Sequence, residues 1–203
     1  FRFTSQGELG VGGANYGTDG QVLTSTGAGT APAWEDSSGV AGKVEGTNFT
    51  GSLLVGHSTS GTLSSAAYNT GVGLAALDAL TSGDNNTSVG YLSGTGISTG
   101  STNTLIGTQS GQLTTTSSNN TALGFKAGQT FNTNAHWNTC LGTNAGDAIT
   151  SGSGNVIIGG QADVASATGD HQLVISGYDG SSTVSWITGD SSGNVTMPAE
   201  IAA

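Results

Sequence analysis

The chain has 203 residues, of which 36 are glycine and only 8% are charged, and its net charge is −10. The scarcity of basic residues excludes nucleic acid and anionic membrane surfaces as partners, because both require a positively charged footprint. Low charge and only two prolines also argue against disorder, so the composition favours a thin-cored repeat protein. No apolar stretch is long enough to predict a transmembrane helix. The chain opens at Phe1 without a signal-like segment, which favours a processed piece or a part of a longer protein.

The N-terminal residues 1–36 place glycines around short apolar fragments and show no fixed period. Val22, Leu23 and Thr24 alternate as a short strand does, and the glycines from Gly27 onward end it. We predict that residues 1–36 form a glycine-rich β segment serving as a shaft or connector. Residues 37–51 are rich in serine and glycine and are predicted to be a linker.

A short phrase, Asn-Thr-x-aliphatic-Gly, returns throughout residues 52–188. Its asparagines are spaced 17, 17, 17, 18 and 17 residues apart, and degenerate copies begin at Ser52 and Gln172. The asparagines are Asn69, Asn86, Asn103, Asn120, Asn138 and Asn155. A fixed period of this size is typical of stacked-repeat proteins, whose outer units are often degenerate.

Each position of the repeat suggests a structural role. The fourth residue is aliphatic and is expected to be buried, on the same strand face as the threonine at the second position. These aliphatic residues are Val72, Val89, Ile106, Leu123, Leu141 and Ile158. The fifth residue is glycine, which indicates a positive φ or a backbone approach too close for a Cβ. These glycines are Gly73, Gly90, Gly107, Gly124, Gly142 and Gly159.

A second apolar residue near the twelfth position predicts two short strands and two turns in each unit. This second set is Leu80, Ile97, Leu113, Phe131 and Ile149. One unit buries too few side chains to offset the entropy of ordering it, so stacking of units must supply the stability. We predict an all-β fold, a β-solenoid (parallel β-roll or β-helix) of about eight 17-residue coils, with asparagine side chains paired in a ladder. Residues 189–203 are predicted to be a C-terminal capping strand or tail.

No arrangement of residues indicates catalysis, so we expect neither an enzyme nor a bound metal or cofactor. The histidines lie at different repeat positions in non-adjacent units, which disfavours a three-histidine metal site within one chain. They are His57, His136 and His171. An axial ion shared between copies of one His or Asp stays an alternative. Asp78 and Asp147 occupy corresponding turns four coils apart, too far for a glycoside-cleaving pair within one chain. Cys140 is expected to be a small packing residue.

One unit departs from the period. The unit that begins at Asn120 has 18 residues and contains the densest aromatic group of the chain. An extra residue in a solenoid turn bulges outward, often on a binding face. Phe131, His136 and Trp137 are therefore candidate contacts for a receptor or glycan, because a sugar ring can stack on an aromatic face. Packing of these aromatics in a wide corner or against a neighbouring chain is the alternative.

Two stretches resemble known fibrous proteins. Residues 20–34, GQVLTSTGAGTAPAW, resemble a segment common in bacteriophage tail fibres and related virion structural proteins, often just before a repeat region. The Asn-Thr-x-aliphatic-Gly units resemble the head repeats of trimeric autotransporter adhesins and similar repeats of phage tail fibres, over about two-thirds of the chain. The resemblance implies a homotrimer of parallel β-rolls or intertwined strands. It also implies location in a virion tail fibre or, alternatively, on the bacterial cell surface. Other virion tail proteins and a host surface receptor or glycan would be its partners.

The leading hypothesis is a structural fibre segment that presents multivalent surfaces for host-cell attachment. One alternative is a trimeric β-helical tailspike with polysaccharide-cleaving activity, which would need paired acids where subunits meet. Another is an ice- or surface-binding solenoid, suggested by a threonine column. The column consists of Thr70, Thr87, Thr104, Thr121 and Thr139. We rank it lower because these threonines are predicted to share a face with buried aliphatic residues.

Overall fold

The computed structural model describes residues 48–56 and 62–197 in full, together with the backbone of five strands that precede them. The chain divides into two compact units, Phe1–Ala41 and Gly42–Ala203. In the first unit β1 pairs with β2 and β3 with β4, both antiparallel. These strands are β1 (Arg2–Phe3), β2 (Leu9–Gly10), β3 (Gln21–Thr24) and β4 (Ala33–Asp36). Strand β3 confirms the short strand predicted at Val22; the residues of 1–36 that lie between and outside these four strands are not among the described ones.

The second unit contains one sheet with the strand order β16-β15-β14-β13-β12-β11-β10-β9-β8-β6-β5, and β7 pairs with β6 beside this path. Its strands are β5 (Gly42–Gly46), β6 (Phe49–Val55), β7 (Ala66–Ala67), β8 (Thr70–Val72), β9 (Thr87–Val89), β10 (Thr104–Ile106), β11 (Thr121–Leu123), β12 (Thr139–Leu141), β13 (Val156–Ile158), β14 (Leu173–Tyr178), β15 (Thr183–Gly189) and β16 (Val195–Thr196). The described residues include no helix, and none of them belongs to a helix able to cross a membrane.

The parallel strands stack in register, one repeat above another. Leu105, for example, pairs with Ser88 in the preceding coil and with Ala122 in the following one. Strands β6 and β8 to β14 supply the parallel rungs of a β-solenoid of about seven turns. The predicted solenoid is thus confirmed, but the expected eighth coil does not close. After β14 the chain turns back as an antiparallel hairpin with β15.

The strand faces are the reverse of the prediction. The third residue of each unit points into the coil, whereas the threonine and the fourth-position aliphatic point outward. The inward residues include Leu54, Gly71, Ser88, Leu105, Ala122, Cys140, Ile157 and Val174. The asparagine at the first position is buried, and alternate residues of a strand share a face, so the third residue must be buried with it. The expected burial of Val72, Ile106 and their equivalents is therefore wrong.

The opposite wall also differs from the prediction. Each complete unit has one three-residue strand, and the second predicted strand is replaced by turns. The inward residues of this wall are Leu80, Ile97, Thr114, Phe131 and Ile149, with the small column Ala76, Ser93, Ser110, Ala127, Ala145 and Ala162 beside them. Leu113, predicted to be inward, is exposed, because Thr114 occupies the twelfth position of its unit. A coil this narrow accepts small side chains next to large ones.

The repeated glycines lie at the corner that follows each strand, as predicted. Gly90 has φ +133°, and a Cβ placed on it would lie 2.6 Å from the carbonyl oxygen of Gly107 in the next coil. The positive φ and the close approach both exclude a side chain. Ser176 takes this position in β14, which supplies the last parallel rung of the described stack, and its φ is not positive.

Antiparallel strands cover both ends of the parallel stack. At the start, β5 pairs with β6, so the predicted linker 37–51 contains a capping strand. At the end, β15 pairs with β14 and β16 pairs with β15, so the antiparallel cap begins at Thr183, inside the predicted solenoid 52–188, and continues into the predicted segment 189–203. Covered ends protect the backbone groups of a sheet edge from pairing with other chains.

Candidate functional site

The repeated asparagines are fully buried and form one continuous ladder. Asn103 shows the pattern: its Nδ2 donates to Asn86 Oδ1 at 3.0 Å and to the carbonyl oxygen of Ser117 at 2.9 Å. Its Oδ1 accepts from the backbone N and from Nδ2 of Asn120, both at 3.1 Å. Each amide therefore links its own coil to the next and satisfies buried backbone groups.

Different side chains close the ladder at its two ends. Ser52 Oγ accepts from the backbone N of Asn69 at 2.8 Å. At the other end Gln172 donates from its backbone N to Asn155 Oδ1 at 2.8 Å. The predicted ladder is confirmed. Because its amides are buried and already paired, it stabilises the fold and offers no surface to a ligand.

A second ladder runs beside the first and was not predicted. Its members lie two residues before each asparagine of the first ladder, or before Gln172. Each side chain accepts a hydrogen bond from the backbone N of the equivalent residue in the previous coil. Its acceptors are Asp84, Ser101, Ser118, His136, Ser153 and Asp170. His136 Nδ1 accepts from Ser118 N at 3.0 Å, which requires an unprotonated Nδ1. The repeat pattern did not indicate this column, because its acceptor side chains are of three residue types, Asp, Ser and His.

The outward faces of the parallel strands form a regular surface. Threonines at the second position and aliphatic side chains at the fourth are exposed or half-exposed along the stack. Leu123 has 49% of its surface exposed, and Leu74, Tyr91 and Phe125, two residues beyond the aliphatic position, are also exposed. Contiguous exposed apolar surface is typical of contact sites. We refer to this surface, positions two, four and six of the units, as the strand face.

The 18-residue unit places its extra residue at a corner, as predicted. Residues 132–134 are all exposed there, whereas the ring of Phe131 is fully buried in the core. A buried ring has no face for a sugar, so the prediction that Phe131 contacts a glycan is wrong. Trp137 is 64% exposed, and its ring centroid lies 5.3 Å from that of the half-buried His136. Of the predicted contacts, Trp137 has the accessible ring.

Two carboxyl groups meet in the last coils. Asp163 and Asp147 are hydrogen-bonded through their side chains, and Asp163 also accepts from the backbone N of Ala148 at 3.1 Å. Burial, then repulsion from Asp147, raises the pKa of Asp163 to about 6. Burial likewise raises the pKa of the Cys140 thiol well above its usual range, with both carboxylates adding to the effect. Cys140 is a protonated, fully buried packing residue, as expected.

This carboxyl pair makes stability depend on pH. Between the ordinary pKa of 3.8 and the folded value of about 6, the folded chain keeps a proton that the unfolded chain has released. Stability therefore falls as pH rises through this window. We expect Asp163→Asn to be more stable than the parent above pH 6 by about 1 kcal/mol, after allowance for screening of a half-exposed group. Below pH 3.8 the two should be equally stable. Urea unfolding of both chains on either side of the window tests this, and parallel pH profiles would contradict it.

The remaining predicted polar residues do not assemble into a centre. Among residues 48–56 and 62–197, no group of three or more His, Cys, Asp or Glu is placed to hold a metal ion. His57 lies outside the described residues. Asp147 meets Asp163, a neighbour that sequence reasoning did not single out, and not Asp78. The signal available was Asp163 itself, which replaces the glycine found at the same position of the four preceding coils.

A shallow pocket of about 380 Å³ lies on the hairpin that follows the last rung. It is lined by Gly177, Tyr178, Asp179, Ser182, Val184 and Trp186. Two of these side chains are aromatic and half-exposed, and one is a carboxylate. Sequence analysis did not single out these residues, which only the hairpin brings together.

Known proteins provide no guide to which of these surfaces is functional. The repeat geometry is shared by the coils, whereas the Trp137 corner and the hairpin pocket each occur once in the described residues. Comparison of the chain with family models, with curated proteins and with solved structures gave no match.

Proposed function

We propose that the chain is a structural fibre segment that assembles as a homotrimer and presents repeated surfaces for attachment to a host cell. The observation that carries this proposal is the strand face, where exposed apolar side chains recur along the parallel rungs. A solenoid with so thin a core gains stability when that face is covered by other copies. The resemblance to phage tail fibres and adhesin heads favours three copies and location in a virion tail or on a bacterial surface.

The mechanism is mechanical and multivalent. Backbone rungs and two internal side-chain ladders join every coil to the next, so local opening of one coil breaks bonds on both sides of it. In a trimer each exposed feature is present three times, which converts weak contacts into avidity. Trp137 is the receptor or glycan contact that we favour, because its exposed ring lies beside the inserted corner residues.

The native mass of the particle tests this proposal. Light scattering coupled to size-exclusion chromatography should give about three times the 19.8 kDa of one chain. We expect Leu123→Glu to shift the particle to monomers, because it places a charge on the strand face where copies would pack. Thr116→Glu, at an exposed turn away from that face, is the matched control and should leave the mass unchanged. A monomeric parent chain would refute the trimer.

A second candidate is an ice- or surface-binding solenoid. The sequence disfavoured this function because the threonine column was predicted to share a face with buried aliphatic residues. Both columns are now placed outward, so regularly spaced threonines are accessible. A monomeric parent whose presence slows ice growth, with the effect lost in Thr104→Glu, would favour this candidate over the fibre.

The polysaccharide-cleaving alternative has less support. Carboxyl groups that cleave glycosides stand at least about 5 Å apart, so that a sugar or water fits between them. Asp147 and Asp163 are hydrogen-bonded to each other, which is closer than this mechanism allows. A pair formed between subunits would be required instead.

A further inference from the structure

A glycine makes room for one of the two aromatic rings of the hairpin pocket. A Cβ on Gly177 would lie 2.5 Å from Trp186 Cζ2, so the indole can lie across the strand only because residue 177 has no side chain. Gly160 lies beside Tyr178, where an added Cβ would make an ordinary van der Waals contact at 3.5 Å from the Tyr178 Cβ. Other coils carry Leu74, Tyr91 or Phe125 at the equivalent of Gly160. The Trp186 ring therefore lies against the backbone of Gly177, and the small residue at position 160 leaves space beside Tyr178 that a larger side chain fills in other coils.

A β-bulge directs one of these rings. In the β14–β15 ladder Ile175 pairs with Ile187 and Ser176 pairs with Ser185, so Trp186 is the extra residue. A bulge re-aims the side chain of its extra residue and is common beside functional sites. Trp186 remains 48% exposed and Tyr178 45% exposed, so both rings have faces available to a ligand.

The charge at the pocket is negative and fixed. Asp179 Oδ1 accepts from the backbone N of Ser181 and of Ser182, both at 2.8 Å. These hydrogen bonds hold the pKa of Asp179 below its usual range, so it is a carboxylate at neutral pH. Residues 172–197 contain no lysine, arginine or histidine, and the whole chain carries a charge of −10. An anionic ligand is therefore disfavoured.

We propose that this pocket binds a quaternary ammonium group, such as that of choline, between Tyr178 and Trp186 with Asp179 as the counter-ion. Such a cation is attracted by aromatic faces and by a carboxylate, and it needs no hydrogen-bond partner from the protein. The lining carries the Tyr178 hydroxyl and the Trp186 indole N–H beside Asp179 and Ser182, so a saccharide is the competing ligand, and the fixed carboxylate of Asp179 favours a cation over it. The volume of about 380 Å³ suits a small ligand. The inference goes beyond the fibre proposal and stands equally for a monomer.

Isothermal titration of the full chain tests the proposal with choline chloride and its uncharged analogue, dimethylbutanol, which has the same shape. We expect saturable binding of choline and binding of the analogue weaker by about tenfold or more, since only choline gains the cation–π and carboxylate attraction. Phosphatidylcholine vesicles identify the source of the group: co-sedimentation with them supports a lipid headgroup, and choline binding without it supports a free cation. Equal binding of the analogue, or no binding of choline, would overturn the proposal.

Two variants locate the binding. Trp186→Leu should abolish choline binding, and Asp179→Asn should weaken it severalfold while keeping the turn's acceptor oxygen. Their controls are Tyr68→Leu, another exposed aromatic, and Asp190→Asn, whose carboxylate accepts turn hydrogen bonds from Ser192 N and Asn194 N but does not line the pocket. Loss of choline binding in either control would overturn the assignment. So would a change in oligomeric mass in Trp186→Leu, which would make the pocket a subunit contact, or saccharide binding that depends on Trp186.

Discussion

Replacement of Asn103 by alanine is expected to lower the free energy of unfolding by about 4 kcal/mol. The substitution leaves the carbonyl of Ser117 and the backbone N of Asn120 without their partners inside the coil. A buried polar group without a partner costs about 1–3 kcal/mol, and the lost side chain also leaves a cavity. Urea unfolding followed by circular dichroism, at a fixed protein concentration, measures the change.

The matched control is Asn132→Ala, at the exposed corner of the 18-residue unit. It deletes the same side-chain atoms at a site exposed to water and not in the core, so the free energy of unfolding should change by no more than about 0.5 kcal/mol. If the two variants were equally stable, the buried ladder would contribute nothing specific to the fold.

Replacement of Gly90 by alanine is expected to be equally damaging, for a steric reason. An L-residue at φ +133° is strained, which costs about 1–3 kcal/mol. In addition, the new Cβ would lie 2.6 Å from the carbonyl oxygen of Gly107, so two coils must separate. We expect a total loss of about 4 kcal/mol, because backbone cannot move aside as a flexible side chain can. Denaturant unfolding measures it.

Gly193→Ala separates the two causes. Gly193 also has a positive φ, +81°, but no atom lies within 4 Å of the Cβ that would be added. Only the conformational cost remains, about 1–2 kcal/mol. Equal losses in Gly90→Ala and Gly193→Ala would show that the approach of neighbouring coils is unimportant at the corner.

The sequence was sufficient for features that depend on the period. The spacing of the asparagines predicted the stack, their ladder and the close approach at the glycine corners, because a stacked repeat brings equivalent residues into contact. The resemblance suggested copies and partners, and these stay predictions.

The sequence was insufficient for features set by the width of the coil. Hydrophobicity alone predicted that Leu123 and its equivalents point inward. The asparagine at position one is buried, so the residue at position three points inward with it, and the aliphatic residue at position four points outward. Because the inward and outward sides of the strands were predicted the wrong way round, the exposed apolar strand face was not predicted either. Phe131 was predicted both in the second apolar column and as a glycan contact, and its full burial decides for the column. Pairs such as Asp147 with Asp163 depend on turn geometry that no short motif encodes.

The in-register ladders have a consequence for how such a chain can change in length. Asn86 and Asn103 offer the same groups to the coil that follows, so removal of residues 103–119 would present Asn120 to Asn86 in an equivalent position. A whole coil is therefore an interchangeable module, and each one gained or lost alters the height of the stack by about 4.8 Å. A deletion that does not remove a whole number of coils would break both ladders at once. The length of the stack can therefore change by whole coils while the contacts between neighbouring coils stay the same.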